Sequence, residues 1–223
     1  MGTQTVSRLE DRTQKQNFIR SLLNDIRSLE YMLNNGWIEK GITRFGAELE
    51  MVLVDKSTLK PKNIAVEVLD AMKKSKWLET ELAQFNLEIN LTPREMTGGQ
   101  FGLMEKEITD RLLKVDKTLS KFDASYILTG ILPTIQKFHL NRSNLTPRKR
   151  YYALLDAIKD LNLGKDFELK ILGTDELFVK HDSPLLEAAN TSFQIHLQCD
   201  ADEYVKMYNI AQALAGASIA VSA

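Results

Sequence analysis

The sequence predicts an α+β fold built on a mainly antiparallel sheet with helices on one face. Three segments alternate apolar residues at odd positions with polar ones at even positions: Phe45 to Asp55, Ala83 to Thr92 and Phe193 to Asp200. Successive side chains on a strand point to opposite sheet faces, so each segment reads as a strand with one apolar and one polar face. Strands of a parallel sheet covered on both sides would instead be continuous apolar runs. Between these segments, apolar residues recur at helical spacing and supply the covering layer.

Taken in order, Thr5 to Asn34 reads as a long amphipathic helix, with Ile19, Leu22, Leu23, Ile26, Leu29, Met32 and Leu33 at helical spacing and Gly36 as its stop. A strand from Thr43 to Asp55 enters a turn at Lys56 to Pro61. A short helix over Ala65 to Lys74 and a strand over Glu81 to Thr92, stopped by Pro93, follow. Gly98 and Gly99 lead into a helix from Gln100 to Phe122, and Ser125 to Ile131 is a short β-rich run. Thr146 and Pro147 form an N-cap and first helical position for a helix reaching Leu163 and closed by Gly164. Leu169 to Val179 reads as two strands around Gly173, and Ser192 to Cys199 as the third polar-faced strand. Asp200 to Glu203 resembles a capping box before the last helix. The apolar run from Ile210 to Ala223 is too short to span a bilayer and reads as buried. This divides the chain into an N-terminal helix, 1–40, and a body, 41–223. The chain stops inside an apolar helix with no terminating residue, so we expect it to be the N-terminal portion of something longer.

A formal net charge of −1 offers no field for nucleic acid or an anionic membrane. A single cysteine, Cys199, excludes a disulfide framework and fits a reducing cytoplasm. It lies on the apolar side of its strand and reads as a small core residue. The N-terminus has no apolar stretch of the secretory kind. Phosphate-loop, zinc and serine-hydrolase motifs are missing from the sequence.

The polar strand faces carry the chemistry. Glu48 and Glu50 stand about 6 to 7 Å apart at the backbone on one face. Alone, such a pair is more often a solvated strand face than a metal site. Glu88, however, shares its face with Gln84, Asn86, Asn90 and Thr92, all neutral and none basic. His196 stands between Gln194 and Gln198. It suits either a structural hydrogen bond or a ligand beside carboxylates. Carboxylates gathered on one face suit a hard divalent cation that completes its shell with phosphate oxygens. The basic stretch from Arg142 to Arg150 fits a solvated helix start or a guanidinium that meets an anion.

Phe45-Gly-Ala-Glu-Leu-Glu, Gln84-Phe-Asn-Leu-Glu-Ile-Asn-Leu-Thr-Pro93, Thr129-Gly-Ile-Leu-Pro133, Arg150-Tyr151 and Ser192-Phe-Gln-Ile-His196, in this order, resemble the glutamate–cysteine ligase family, closest to its plant-type and bacterial carboxylate–amine ligase branch. The resemblance implies a glutamine synthetase-like fold, a curved sheet whose concave face holds ATP and Mg²⁺. It implies an ATP-dependent ligase that joins an acid to an amine through an acyl phosphate, most familiarly as a γ-glutamyl amide. By position, Glu48, Glu50 and Glu88 match the family's metal-binding glutamates. Gln194, His196 and Gln198 fall on its strand near metal and nucleotide, and Arg150 and His196 would meet substrate or phosphate. Amino acids are then the partners, with no nucleic acid and no membrane, and self-association stays open. Leu132 departs from the family, which often has His before that proline. That departure is the one feature favouring a non-catalytic nucleotide- or amino-acid-binding module on the same fold.

Overall fold

The computed structural model describes residues 11–181 and 183–222. The part of the first helix read from Thr5 to Glu10, and Ala223, lie outside the described residues. The chain gathers into two units, one of 47–92 and 102–194, the other of 11–46, 93–101 and 195–222.

In the first unit, β1 (Arg44–Asp55) runs from Ala47 to its end. It pairs antiparallel with β3 (Asn86–Asn90) and with β5 (Ala124–Ile127), and β3 pairs antiparallel with β2 (Leu78–Thr80). Leu49, Met51, Leu53, Leu87 and Ile89, the odd positions, are all buried. Buried too are Val68 of α2 (Ala65–Ala71) and Val115 and Leu119 of α3 (Gln100–Leu119). Full burial of each such side chain contributes about 1.5–3 kcal/mol. The α+β reading with an antiparallel sheet therefore holds.

The even face is not open along its whole length, as the alternation had implied. Val52 and Val54 are apolar at even positions. They join Phe85, Leu132, Leu145 and Leu185, with Tyr151 and Leu155 of α4 (Lys149–Leu161), in a second buried cluster. Carboxylates occupy this face only toward the start of β1, at Glu48 and Glu50.

The strand expected over Glu81 to Thr92 is shorter, because backbone groups before it are claimed elsewhere. Thr146 N–H donates to Leu82 O at 2.9 Å, Gln84 N–H to Asn144 O at 2.8 Å and Ala65 N–H to Gln84 O at 2.8 Å. Asn86 N–H turns back onto Ala83 O at 3.0 Å. Thr146 does not cap α4. Its hydroxyl donates to Glu81 O at 2.6 Å, and Arg148 takes the N-cap position without a side-chain bond. The hairpin around Gly173 forms as read, from β6 (Phe167–Leu172) and β7 (Glu176–His181).

In the second unit, α1 (Arg12–Asn34) starts at Asp11, whose side chain accepts from Gln14 N–H at 2.7 Å. It ends at Gly36 with φ +67°, where Trp37 N–H reaches Met32 O at 2.9 Å. That double-back closure needs a left-handed residue, which glycine takes without strain. β4 (Arg94–Glu95) pairs with Arg44 and Phe45, and the Phe45 ring meets Phe101 at 4.9 Å. β8 (Phe193–Leu197) pairs with β1 and passes from the first unit into the second at Ile195.

Three expectations fail here. α5 (Tyr204–Ser222), read as buried, has no buried residue, and the apolar positions of β8 are exposed. Apolar composition states a need for cover, and the described residues cover these segments only in part, with Met207 half-buried. Cys199 is half-buried rather than a core residue. Asp200 does not cap the last helix, because its carboxylate accepts Gly41 N–H at 2.9 Å. Among the described residues, no helix is long and apolar enough to cross a membrane.

Candidate functional site

The pairing of β1 with β3 sets Glu50 directly opposite Glu88 and Glu48 opposite Asn90, while β2 sets Glu79 opposite Glu88. Opposed residues share a sheet face, and like charges there repel. The carboxylates of the first unit are thus gathered by register, not by chance of rotamer.

Each is held differently. The Glu50 carboxylate accepts from Ser192 N–H at 2.7 Å, Ser192 Oγ at 3.2 Å and Gln194 Nε2 at 2.9 Å. Three donors from one segment fix its orientation. Glu88 is 8% exposed and accepts from Asn90 Nδ2 at 2.7 Å. Burial, followed by the charges of Glu81 and Glu48, pushes the Glu88 carboxyl up to about 7, and the Asn90 bond only partly offsets this. Glu81 is also raised, first by burial and then by Glu50. Glu81 and Glu88 act on each other, and both carboxyls hold a proton more strongly than a free one.

A pH dependence follows. The unfolded chain loses the Glu88 proton near the ordinary carboxyl value of 4.5, whereas the folded chain keeps it until about 7. The folded state binds more protons across that window, so stability falls as pH rises through it. Glu88→Gln removes the effect. The variant should exceed the parent by about 1–3 kcal/mol at pH 8 and by nothing at pH 4, read from urea unfolding at both pH values. An equal difference at both would refute the protonation argument.

Beside these carboxylates lies a cleft of about 310 Å³, lined by Glu50, Glu81, Asn86, Tyr151, Glu187 and Gln194 among others, with no Lys or Arg among the described residues of its wall. Arg150 stands next to it. Its Nη2 donates to Tyr151 Oη at 2.7 Å, its guanidinium lies 4.6 Å from the Tyr151 ring centroid, and its charge acts on Glu81. Tyr151 Oη in turn donates to Thr80 O at 3.2 Å. Arg150 Nε is buried without a hydrogen-bond partner.

The sequence-derived residues therefore divide. Glu48, Glu50, Glu88 and Gln194 belong to one unit, and Gln194 is bonded directly to Glu50. Gln198 lies in the second unit, where its Oε1 accepts from Arg44 at 3.0 Å and its Nε2 donates to Glu39 at 2.9 Å. His196 is exposed on the part of β8 that belongs to the second unit. Gln84 is off the polar face, because its amide donates to Ser143 O at 2.9 Å and Leu145 O at 3.1 Å. Leu132 is 1% exposed and fills the core cluster. Among the described residues, no group of three or more His, Cys, Asp or Glu side chains stands ready to hold a metal ion.

Glu81 escaped the sequence reading. Taken as part of a straight strand, it falls on the apolar side, and only the turn at 83–85 brings it to Glu88. An acid at an apolar position of an otherwise strict alternation was the available signal.

No curated protein and no solved structure matches the chain. The model of Glutamate-cysteine ligase family 2 (GCS2) matches residues 44–223, which takes in the whole carboxylate face and leaves α1 outside. This chain belongs to the glutamate–cysteine ligase family 2.

Proposed function

We propose that the protein takes part in ATP- and Mg²⁺-dependent joining of an amino-acid carboxylate to an amine, with a γ-glutamyl amide as the favoured product. The observation that carries this is the gathering of the Glu48, Glu50, Glu81 and Glu88 carboxyls beside a cleft with no basic residue among the described residues of its wall. Two of these carboxyls have raised proton affinity. Oxygen donors are what Mg²⁺ prefers, and a divalent cation would relieve the repulsion among these carboxylates. Glu50 and Glu88, opposed in register, with Glu48 on the same face, would supply the oxygen ligands and would have to draw together around the ion.

In the reaction, the terminal phosphoryl group of ATP passes to a substrate carboxylate oxygen and ADP leaves. The amine nitrogen then attacks the acyl carbon, phosphate departs with the bonding pair, and the nitrogen loses a proton. Bound Mg²⁺ supplies neutralisation of phosphate oxygens and a template for in-line transfer. Ser192 and Gln194 hold the Glu50 carboxylate in one orientation, so little rearrangement is needed when charge arrives. The Arg150 guanidinium, stacked on Tyr151 and held by its hydroxyl, is positioned to counter the acid or phosphate. Farther along the same face of β1, Val52 and Val54 join an apolar cluster that adjoins the site.

The test is release of ADP from Mg·ATP in the presence of glutamate and a set of amines, with amide product followed by mass spectrometry. Amide formation that requires Mg²⁺, acid and amine together supports the reading. Mg·ATP binding without turnover of any pair would point to a sensing module.

A further inference from the structure

α1 is a helix for local reasons. Asp11 caps its start and Gly36 closes its end, yet none of its residues is buried. Phe18, Ile19, Leu22, Leu23, Ile26 and Leu29 are each 48–55% exposed. In proteins most helical stability comes from packing of the apolar face, and among the described residues none provides that packing here. α1 also precedes residues 44–223, which match the family model, so its stripe is not accounted for by the family's shared fold.

The stripe has the regularity of a helix-pairing seam. Ile19, Leu22, Ile26, Leu29 and Leu33 follow one another at intervals of three, four, three and four residues. This is the a and d spacing of a heptad repeat, with Ile, Ile and Leu at a and Leu at both d positions. Such a seam is self-complementary, since a second copy presents the same knobs and the same holes. An aliphatic side chain carries about 60–120 Å² of apolar area that burial removes from water. The five seam residues with Phe18 and Leu23, on two copies, offer on the order of 1,000 Å², which reaches what a specific interface needs.

Charge narrows both the occupant and the orientation. The only charges at the e and g positions bordering the seam from Ile19 to Leu33 are Asp25 and Glu30, both acidic. An anionic membrane would call for Lys or Arg there. In a parallel pair, g of one heptad meets e of the next heptad on the other helix, which sets Asp25 of one copy against Glu30 of the other. An antiparallel pair avoids that opposition.

We propose that α1 is a self-association helix that pairs antiparallel with α1 of a second copy of this chain along the Ile19–Leu33 seam.

Sedimentation equilibrium of the whole chain tests this. A dimer half-formed at about 10 μM is expected. Leu22→Glu combined with Leu29→Glu should weaken it by about 100-fold or more, with helix content unchanged by circular dichroism, because both positions are exposed and Glu is a good helix former. Leu214→Glu, on the equally exposed α5, should leave the dimer as it was. Glu30→Lys should not tighten it, whereas a parallel pair would tighten by gaining an Asp25–Lys contact. A chain monomeric at 200 μM, on the order of twenty times the expected midpoint, overturns the proposal. So does a dimer indifferent to the double variant or dissolved by Leu214→Glu. A monomer that floats with phosphatidylserine vesicles, and loses this in the double variant, also overturns it and gives the stripe to a membrane surface. Tightening by Glu30→Lys overturns the antiparallel sense.

Discussion

Glu50→Gln is expected to lower amide formation from Mg·ATP by about 10²–10³-fold. Glu50 faces Glu88 across the β1–β3 pair and is the best-oriented carboxylate of the cluster, held by Ser192 and Gln194. A metal-held phosphate contributes several kcal/mol of charge stabilisation, and each 1.36 kcal/mol is a factor of ten in rate. Glutamine keeps the shape and removes the charge. Its amide NH₂ would meet one of the donors from Ser192 or Gln194, which costs stability, while repulsion with Glu81 and Glu88 is relieved. These effects oppose each other, so the melting temperature should move by only about 2 °C. Gln194→Ala keeps the charge and loosens its orientation. It should lose about 10–100-fold, the range typical of groups that orient a metal ligand. Initial rates at saturating substrates decide the matter. A Glu50→Gln variant within threefold of the parent would falsify the assignment of Glu50 to the metal.

How far the sequence foretold this site depends on the kind of information each residue needed. Period-two alternation is local, so Glu48 and Glu50 could be set on one face from their spacing alone. Their meeting with Glu88 depends on register, which pairs Glu50 with Glu88 and is fixed because a one-residue slip would turn Leu49 and Met51 outward. Glu81 was missed for the opposite reason, although an acid at an apolar position hinted at it. Its place is set by where Leu82, Gln84 and Thr146 find backbone partners, and those partners lie far along the chain. Thr146 itself had the local signature of a helix cap, but a buried carbonyl at Glu81 took its hydroxyl. α5 and β8 mark a further limit. Their hydrophobicity was read as burial, which fails here, because composition does not say whether any described segment covers them.

Arg111→Met is expected to destabilise the fold by about 3–5 kcal/mol, through a support that lies behind the site and not in it. Arg111 and Glu107 form an i,i+4 ion pair on α3, and their side chains are only 13% and 12% exposed. Arg111 donates to the carbonyl of Asn90 and to Thr92 Oγ1 at 3.3 Å, and it stacks 5.0 Å from the Trp77 ring centroid. Glu107 accepts from Thr92 N–H at 3.2 Å and Thr92 Oγ1 at 2.6 Å. The pair thus clamps the end of β3 from both sides, and Asn90, inside the clamp, is the residue that holds Glu88. Removing the guanidinium leaves Glu107 charged and nearly buried without its partner, and that uncompensated charge is the larger part of the loss. Pairing Arg111→Met with Glu107→Leu should recover much of the stability, because the buried charge goes with it. Urea unfolding of the parent, both single variants and the double variant gives the coupling directly. A double variant no more stable than Arg111→Met would show that the ion pair is not what secures β3. Recovered stability without recovered Mg·ATP turnover would show instead that the clamp positions Asn90 and Glu88 for function.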